Sequence, residues 1–209
     1  MVANVESMFY AGAVPWHGLG NKVDNALTAE DAIREAGLDW IVVKAPLYAT
    51  WGMNHIPIAD KVALIREKDS QYLAVVGDGY EIFQNWQSFV FFDFVTGTGE
   101  GKYTTAGSLG NGQVIWLQAK LNGSIGVGKD EIEKYVLLTN SFGMTALRML
   151  ITPQRVVCQN TLNIALQEKG GFWGKHTGGL VNKVEEAKNI LGFSNKFYAE
   201  WQQKANMLT

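Results

Sequence analysis

Arg155, Gln159 and Asn163 recur every four residues, so on a helix their side chains form one stripe of hydrogen-bonding groups. Guanidinium and carboxamide groups are the kinds of side chain that contact phosphate oxygens, sugars and base edges. Asn160 and Gln167 stand beside that stripe, and Phe172, Trp173, Lys175, His176 and Lys183 follow within a glycine-rich stretch. Cations interleaved with aromatic rings suit a single-stranded nucleic acid, whose bases stack on side chains while its phosphates meet positive charge. An ordinary solvated helix face has the same composition as the stripe. The aromatic and cationic neighbourhood favours a binding surface between Thr152 and Thr177.

Other residues with chemical potential lack the context that chemistry needs. Cys158 is the single cysteine, and on a helix it shares an apolar face with Leu162 and Ala165, where a free thiol behaves as a small hydrophobe. His17, His55 and His176 have no helical spacing to one another, so no metal or cofactor site is expected. The string Gly97-Thr98-Gly99-Glu100-Gly101-Lys102 lacks the spacing of a phosphate-binding loop and follows a helix where a strand is required; Gly123 to Lys129 reads as a plain loop. Asp78, Glu81 and His176 sit in separate loops without a telling carboxylate spacing.

The elements that must position these residues are well punctuated. Thr28 with Asp31 three residues on predicts a capped helix from Ala29 to Ala36, stopped by Gly37. Trp40 to Tyr48 reads as a strand that ends at Pro46 or runs along an edge. Val62 to Arg66 and Tyr72 to Val76 form a hairpin pattern, and Asn85 caps a helix from Trp86 to Val95 whose apolar character predicts burial. Lys102 to Leu109 and Gln113 to Leu121 flank Asn111-Gly112, the signal for a tight hairpin; strands follow at Tyr135 to Asn140 and Leu147 to Thr152. Thr152-Pro153 predicts a helix from Pro153 to Glu168, with Phe172 to Gly179 as a loop. Val181 to Leu191 and Phe193 to Met207 carry amphipathic patterns, and a continuation beyond residue 209 is expected. Hairpins with interspersed helices predict an α+β fold, a mainly antiparallel sheet packed against several helices in a single domain.

Length and composition agree with one core. Aromatic residues run throughout the 209-residue chain and no low-complexity linker divides it. No signal peptide pattern and no apolar run of about 20 residues is present, and a lone cysteine suits a reducing compartment, so the sequence reads as cytoplasmic with no membrane partner. The net charge of −2 hides an asymmetry: residues 1–101 carry 6 Lys/Arg against 13 Asp/Glu, whereas residues 102–209 carry 12 against 7. A basic half suits a polyanion, and opposite halves also suit pairing between subunits.

Trp16-His17-Gly18-Leu19-Gly20, the segment from Gly79-Tyr80 to Asn85, the hairpin from Ala106-Gly107-Ser108-Leu109 to Lys120, the string Arg155-Val156-Val157-Cys158-Gln159-Asn160-Thr161-Leu162 and Lys175-His176-Thr177 together resemble a phage/plasmid-like protein family of unknown function. The likeness spans nearly the whole chain. Lys175 stands where that family is expected to carry Arg, which keeps the charge and gives up a planar two-point contact. The resemblance implies a bacteriophage or plasmid setting in a bacterial host cell. More loosely, a hairpin-rich sheet backed by helices is similar to the single-strand annealing proteins of the RecT and Erf type. The expected function is single-stranded DNA or RNA binding and annealing as a homo-oligomer, without covalent chemistry or cofactor. A nucleic-acid-processing enzyme and a self-assembling structural or host-interaction protein are the alternatives.

Overall fold

The computed structural model describes residues 3–24, 27–97, 101–127, 130–143, 147–168 and 171–179. Among these residues ten strands and three helices follow one another: β1 (Val5–Ala11), β2 (Asn21–Val23), α1 (Ala29–Glu35), β3 (Val42–Trp51), β4 (Asn54–Arg66), β5 (Gln71–Gly77), α2 (Asn85–Gly97), β6 (Gly101–Leu109), β7 (Val114–Val127), β8 (Asp130–Ser141), β9 (Leu147–Thr152), α3 (Gln159–Ala165) and β10 (Phe172–Gly174). One sheet has seven strands in the order β10-β9-β8-β7-β6-β1-β2, and a second has three in the order β3-β4-β5. All described pairings are antiparallel except β1 with β2. The α+β expectation holds in outline, but the molecule is richer in strand than several packed helices imply.

The hairpin signals fold as their turn chemistry dictates. Gly110 and Asn111 both adopt left-handed backbone angles, which lets β6 turn directly into β7 with Leu109 opposite Val114. Thr28 accepts a hydrogen bond from the Asp31 amide and Gly37 ends α1 at φ +65°. Pro46 is tolerated because β3 is an edge strand, and the pairing with β4 slips just after it.

Alternation along the strands builds two cores on opposite faces of the large sheet. On one face Phe9, Ala106, Leu117, Leu138 and Met149 meet Leu38, Phe89 and Phe92 from the α1–α2 region and Leu64 and Leu73 from the small sheet. Arg66, only 6 % exposed, joins the two sheets: it bonds Glu6 on β1 at 2.8 Å and Asp69 at 2.7 Å, and lies over the Trp40 ring. On the other face Met8, Tyr10, Trp116, Leu137 and Leu150 are covered by Val156, Val157, Cys158, Leu162 and Ala165.

Several expectations need correction. Gly123 to Lys129, expected as a plain loop, is strand as far as Val127, the end of β7, where Ser124 to Val127 pair with β8; residues 128–129 lie outside the described residues. The helix expected from Pro153 to Glu168 is only the seven-residue α3, and residues 153–158 run without helical pairing across the second core. Phe172 to Gly174, expected in a loop, forms β10 on the free edge of β9. Asn85 does not serve as a free cap: it is buried, and its amide donates to the carbonyls of Leu38 and Trp40. Burial of α2 is also one-sided, since Phe89 and Phe92 are enclosed while Trp86 and Val90 are exposed. The amphipathic patterns after Gly179 lie outside the described residues.

Candidate functional site

The candidate surface is built on the segment between β9 and α3, and Gln118 explains why that segment is not helical. Gln118 is fully buried on β7; its Nε2 donates to the Gln154 carbonyl at 2.8 Å and its Oε1 accepts from the Val156 amide at 2.9 Å. Thr105 donates to the Val156 carbonyl at 2.7 Å and accepts from the Trp116 indole at 3.1 Å. These bonds satisfy main-chain groups that a helix would otherwise pair internally. Helix formation is thereby postponed to Cys158, where the Thr161 hydroxyl accepts from the amides of Val157 and Cys158.

The same segment holds the N-terminal loop. Arg155 donates to the carbonyls of Ala11 and Ala13, both at 2.9 Å. His17 Nε2 lies 2.8 Å from the Val157 carbonyl while Nδ1 accepts from the Leu19 amide at 3.0 Å, which fixes the tautomer with the proton on Nε2. Burial pushes the Cys158 thiol up, but hydrogen bonds from Thr161, the Trp16 indole and the Asn160 amide outweigh it and leave its pKa below the ordinary value. The thiol is nevertheless enclosed, at 2 % exposure, so its setting is that of a packing residue.

The nine residues expected to meet nucleic acid divide. Gln159 and Asn163 bond each other at 2.9 Å on the outer side of α3, with Asn160 exposed beside them. Arg155 is not on that helix, so the expected continuous stripe is broken. Trp173 is 55 % exposed on the same side of the sheet, and Lys175 Nζ lies 5.6 Å from its ring centroid. Phe172 points to the opposite face and packs against the first core. His176 is buried: its ring stacks on Tyr80 at 4.6 Å, Nδ1 lies 3.1 Å from the Glu81 carbonyl, and burial holds its pKa below the ordinary value. Burial likewise pushes the Tyr80 hydroxyl up to about 12. Lys183 lies outside the described residues. Thus Gln159, Asn160, Asn163, Trp173 and Lys175 lie at or near one surface, Arg155 is bonded to the N-terminal loop, and Phe172 and His176 are structural.

Three lysines escaped the sequence reading. Lys102 and Lys120 stand directly opposite each other on β6 and β7, and Lys134 lies on the neighbouring β8. Counting outward from the Asn111 turn places Lys102 and Lys120 together, so the hairpin contained the signal.

A domain family described as a domain of unknown function, DUF932, matches residues 72–209. The chain belongs to the DUF932 family. No curated protein and no solved structure matches it. The DUF932 match takes in β5, α2, β6 to β10 and α3, so the Gln118–Val156 bracket, Trp173 and the three lysines all lie within it. β1 and β2, which extend the sheet beyond β6, precede the match. Among the described residues no helix is long and apolar enough to cross a membrane.

Proposed function

We propose that this DUF932 chain binds single-stranded DNA in a phage or plasmid recombination or replication system and promotes annealing without covalent chemistry. The observation that carries this reading is Trp173: a large aromatic ring exposed on a short strand, with the Lys175 ammonium over it. Rigid exposed rings beside cations are the elements on which unpaired bases stack while phosphates are neutralised. Asn160 and Asn163 are exposed on α3 and carry carboxamide groups, the Asn163 oxygen accepting from Gln159. The likeness to RecT and Erf type annealing proteins belongs to this proposal at the level of a hairpin-rich sheet backed by helices.

Fluorescence anisotropy with a labelled oligothymidylate at low ionic strength tests it. Trp173→Ala should weaken binding about 5- to 150-fold, the equivalent of about 1–3 kcal/mol for one stacked base. Absence of salt-sensitive binding by the wild-type protein would sink the proposal; a stronger preference for an RNA oligomer would redirect it to RNA.

Action as a homo-oligomer forms part of the proposal, and one feature favours it. The distal part of the β3–β4 hairpin extends beyond β5 and exposes Tyr48, Trp51, Met53, Ile56 and Ile58. Residues 47–59 of this arm contain no Lys, Arg, Asp or Glu, so it does not suit a polyanion. A two-stranded arm without a covering layer is marginal alone, and β4 offers an unpaired edge there that suits a second copy of the hairpin. A Trp51→Ser, Met53→Ser variant should sediment as a smaller species than the wild type without losing thermal stability. Equal sedimentation of the two would remove this part of the reading.

A further inference from the structure

The end of the large sheet remote from the Asn111 turn has an arrangement that sheet stability alone disfavours. Lys102 faces Lys120 across β6 and β7, and like charges directly opposite each other destabilise a sheet. Both are exposed. Lys120 is paired with Glu133, while Lys102 has no carboxylate partner among the described residues. The Lys134 ammonium adjoins Gly123, lying 3.4 Å from where a Cβ on that glycine would stand. Lys102 and Lys120 therefore set two ammonium groups beside one described carboxylate, that of Glu133.

The backbone shapes a receptacle between them. Pairing of β7 with β8 is interrupted between Lys120 and Ser124, and Lys102, Lys120, Leu121, Asn122 and Gly123 line a cleft of about 250 Å³. That is below the roughly 300 Å³ at which pockets for drug-sized ligands begin, so the cleft suits a small anion better than a whole nucleotide. Glu133 is held below the usual carboxylate range by Lys120 first and the Tyr135 hydroxyl next, with the Arg155 charge adding to the effect.

We infer that the cleft of Lys102 and Lys120 is a phosphate-binding site, occupied by a backbone phosphodiester of the strand whose bases stack on Trp173. The identity of that strand rests on the proposed function. Lys120 and Trp173 are on the same face of the sheet, three strands and four residues apart. Sheet spacings make this roughly 20 Å, a length that several nucleotides bridge. Glu133 moderates the site, because its carboxylate competes with the incoming anion for Lys120.

The salt dependence of oligothymidylate binding reads each contact. Each phosphate neutralised on a single strand contributes about 0.7 to the slope of log affinity against log salt. Lys102→Gln should therefore flatten the slope by about 0.7, and Lys102→Gln with Lys120→Gln by about 1.4, with Lys102→Arg restoring it. Glu133→Gln should tighten binding at low salt, a gain that a purely structural role does not give. If Lys102→Gln leaves the slope unchanged while Trp173→Ala weakens binding, the cleft assignment is wrong and the strand reading stands. If the wild type binds no oligonucleotide, titration with inorganic phosphate, followed by the Gly123 amide resonance, separates what remains. A shift abolished in the double variant keeps the cleft as a site for free phosphate and overturns its assignment to a strand; no shift overturns both.

Discussion

Gln118→Leu is the sharpest test of how the candidate surface is built. The change keeps the side-chain volume nearly constant, so little of the effect comes from a cavity. It removes the acceptor of the Val156 amide and the donor to the Gln154 carbonyl. Val156 is fully buried, so its amide has no access to water, whereas Gln154 is half-buried and recovers part of its hydration. An unsatisfied buried group costs about 1–3 kcal/mol, and the pair therefore about 2–4 kcal/mol, a large share of the 5–15 kcal/mol that holds a domain together. The melting temperature should fall by roughly 5–15 °C for a chain of this size. Urea denaturation should show a lower midpoint with an unchanged slope. Released from β7, residues 153–158 regain the helical tendency of Thr152-Pro153, so the far-ultraviolet helical signal should rise slightly at temperatures where the variant stays folded. A loss below about 0.5 kcal/mol with no spectral change would show that Gln118 does not hold this segment.

Burial keeps the His176 pKa below its ordinary 6.5 despite the opposing Glu81 carbonyl. Above that pH the ring is neutral in both states and its contribution is complete; as pH falls below it the unfolded chain takes the proton first, and stability declines until the folded pKa is passed. Wild-type stability relative to His176→Gln should therefore drop on acidification below about pH 6.5, read by urea midpoints; a pH-independent difference contradicts the burial argument. Gly107→Ala places a methyl group against the Ser7 carbonyl, the Met8 side chain and the Trp116 ring, and should destabilise by about 1–3 kcal/mol in thermal melts. Cys158 is enclosed, so maleimide labelling should proceed only through opening and accelerate with urea alongside unfolding; rapid labelling of the native protein would contradict its burial.

Local rules were readable wherever the chain's neighbours in sequence are also its neighbours in space. The Asn111 turn, the Thr28 cap and the Leu147–Thr152 strand depend on residues a few positions apart, and all three form as expected. The segment after Thr152 was misread because its partners are remote. Gln118 and Thr105 occupy strands formed far earlier in the chain, and no local pattern announces that they capture the Gln154 and Val156 main chain. β10 was missed for a related reason: three residues beside glycines become a strand only because β9 leaves an edge open. Phe172 and Trp173 then separate to opposite faces by the two-residue alternation that a loop reading cannot supply.

The residues that carried the family resemblance meet in pairs, and this bears on where activity resides. Trp16 and His17 reach Cys158 and Val157, while Arg155 returns to Ala11 and Ala13. Glu81 and His176 exchange main-chain and side-chain bonds, and Tyr80 stacks on the His176 ring. Side chains with the greatest chemical range in those strings are therefore committed to bracing distant segments against one another. A bonded guanidinium or an enclosed imidazole has little capacity left for an extended ligand, so Arg155→Ala perturbs the N-terminal loop as well as the local charge. Lys102, Lys120 and Trp173 carry no such commitment to the main chain among the described residues, and under the proposed function they would differ in what they give a strand: charge from the lysines, a stacking face from the tryptophan. The pairing of β7 to β10 sets the distance between cleft and ring, and the braces hold the N-terminal loop to the 153–158 segment. A loss of binding in Arg155→Ala should therefore be accompanied by a lower melting temperature, whereas the losses in Lys102→Gln and Trp173→Ala should leave it unchanged.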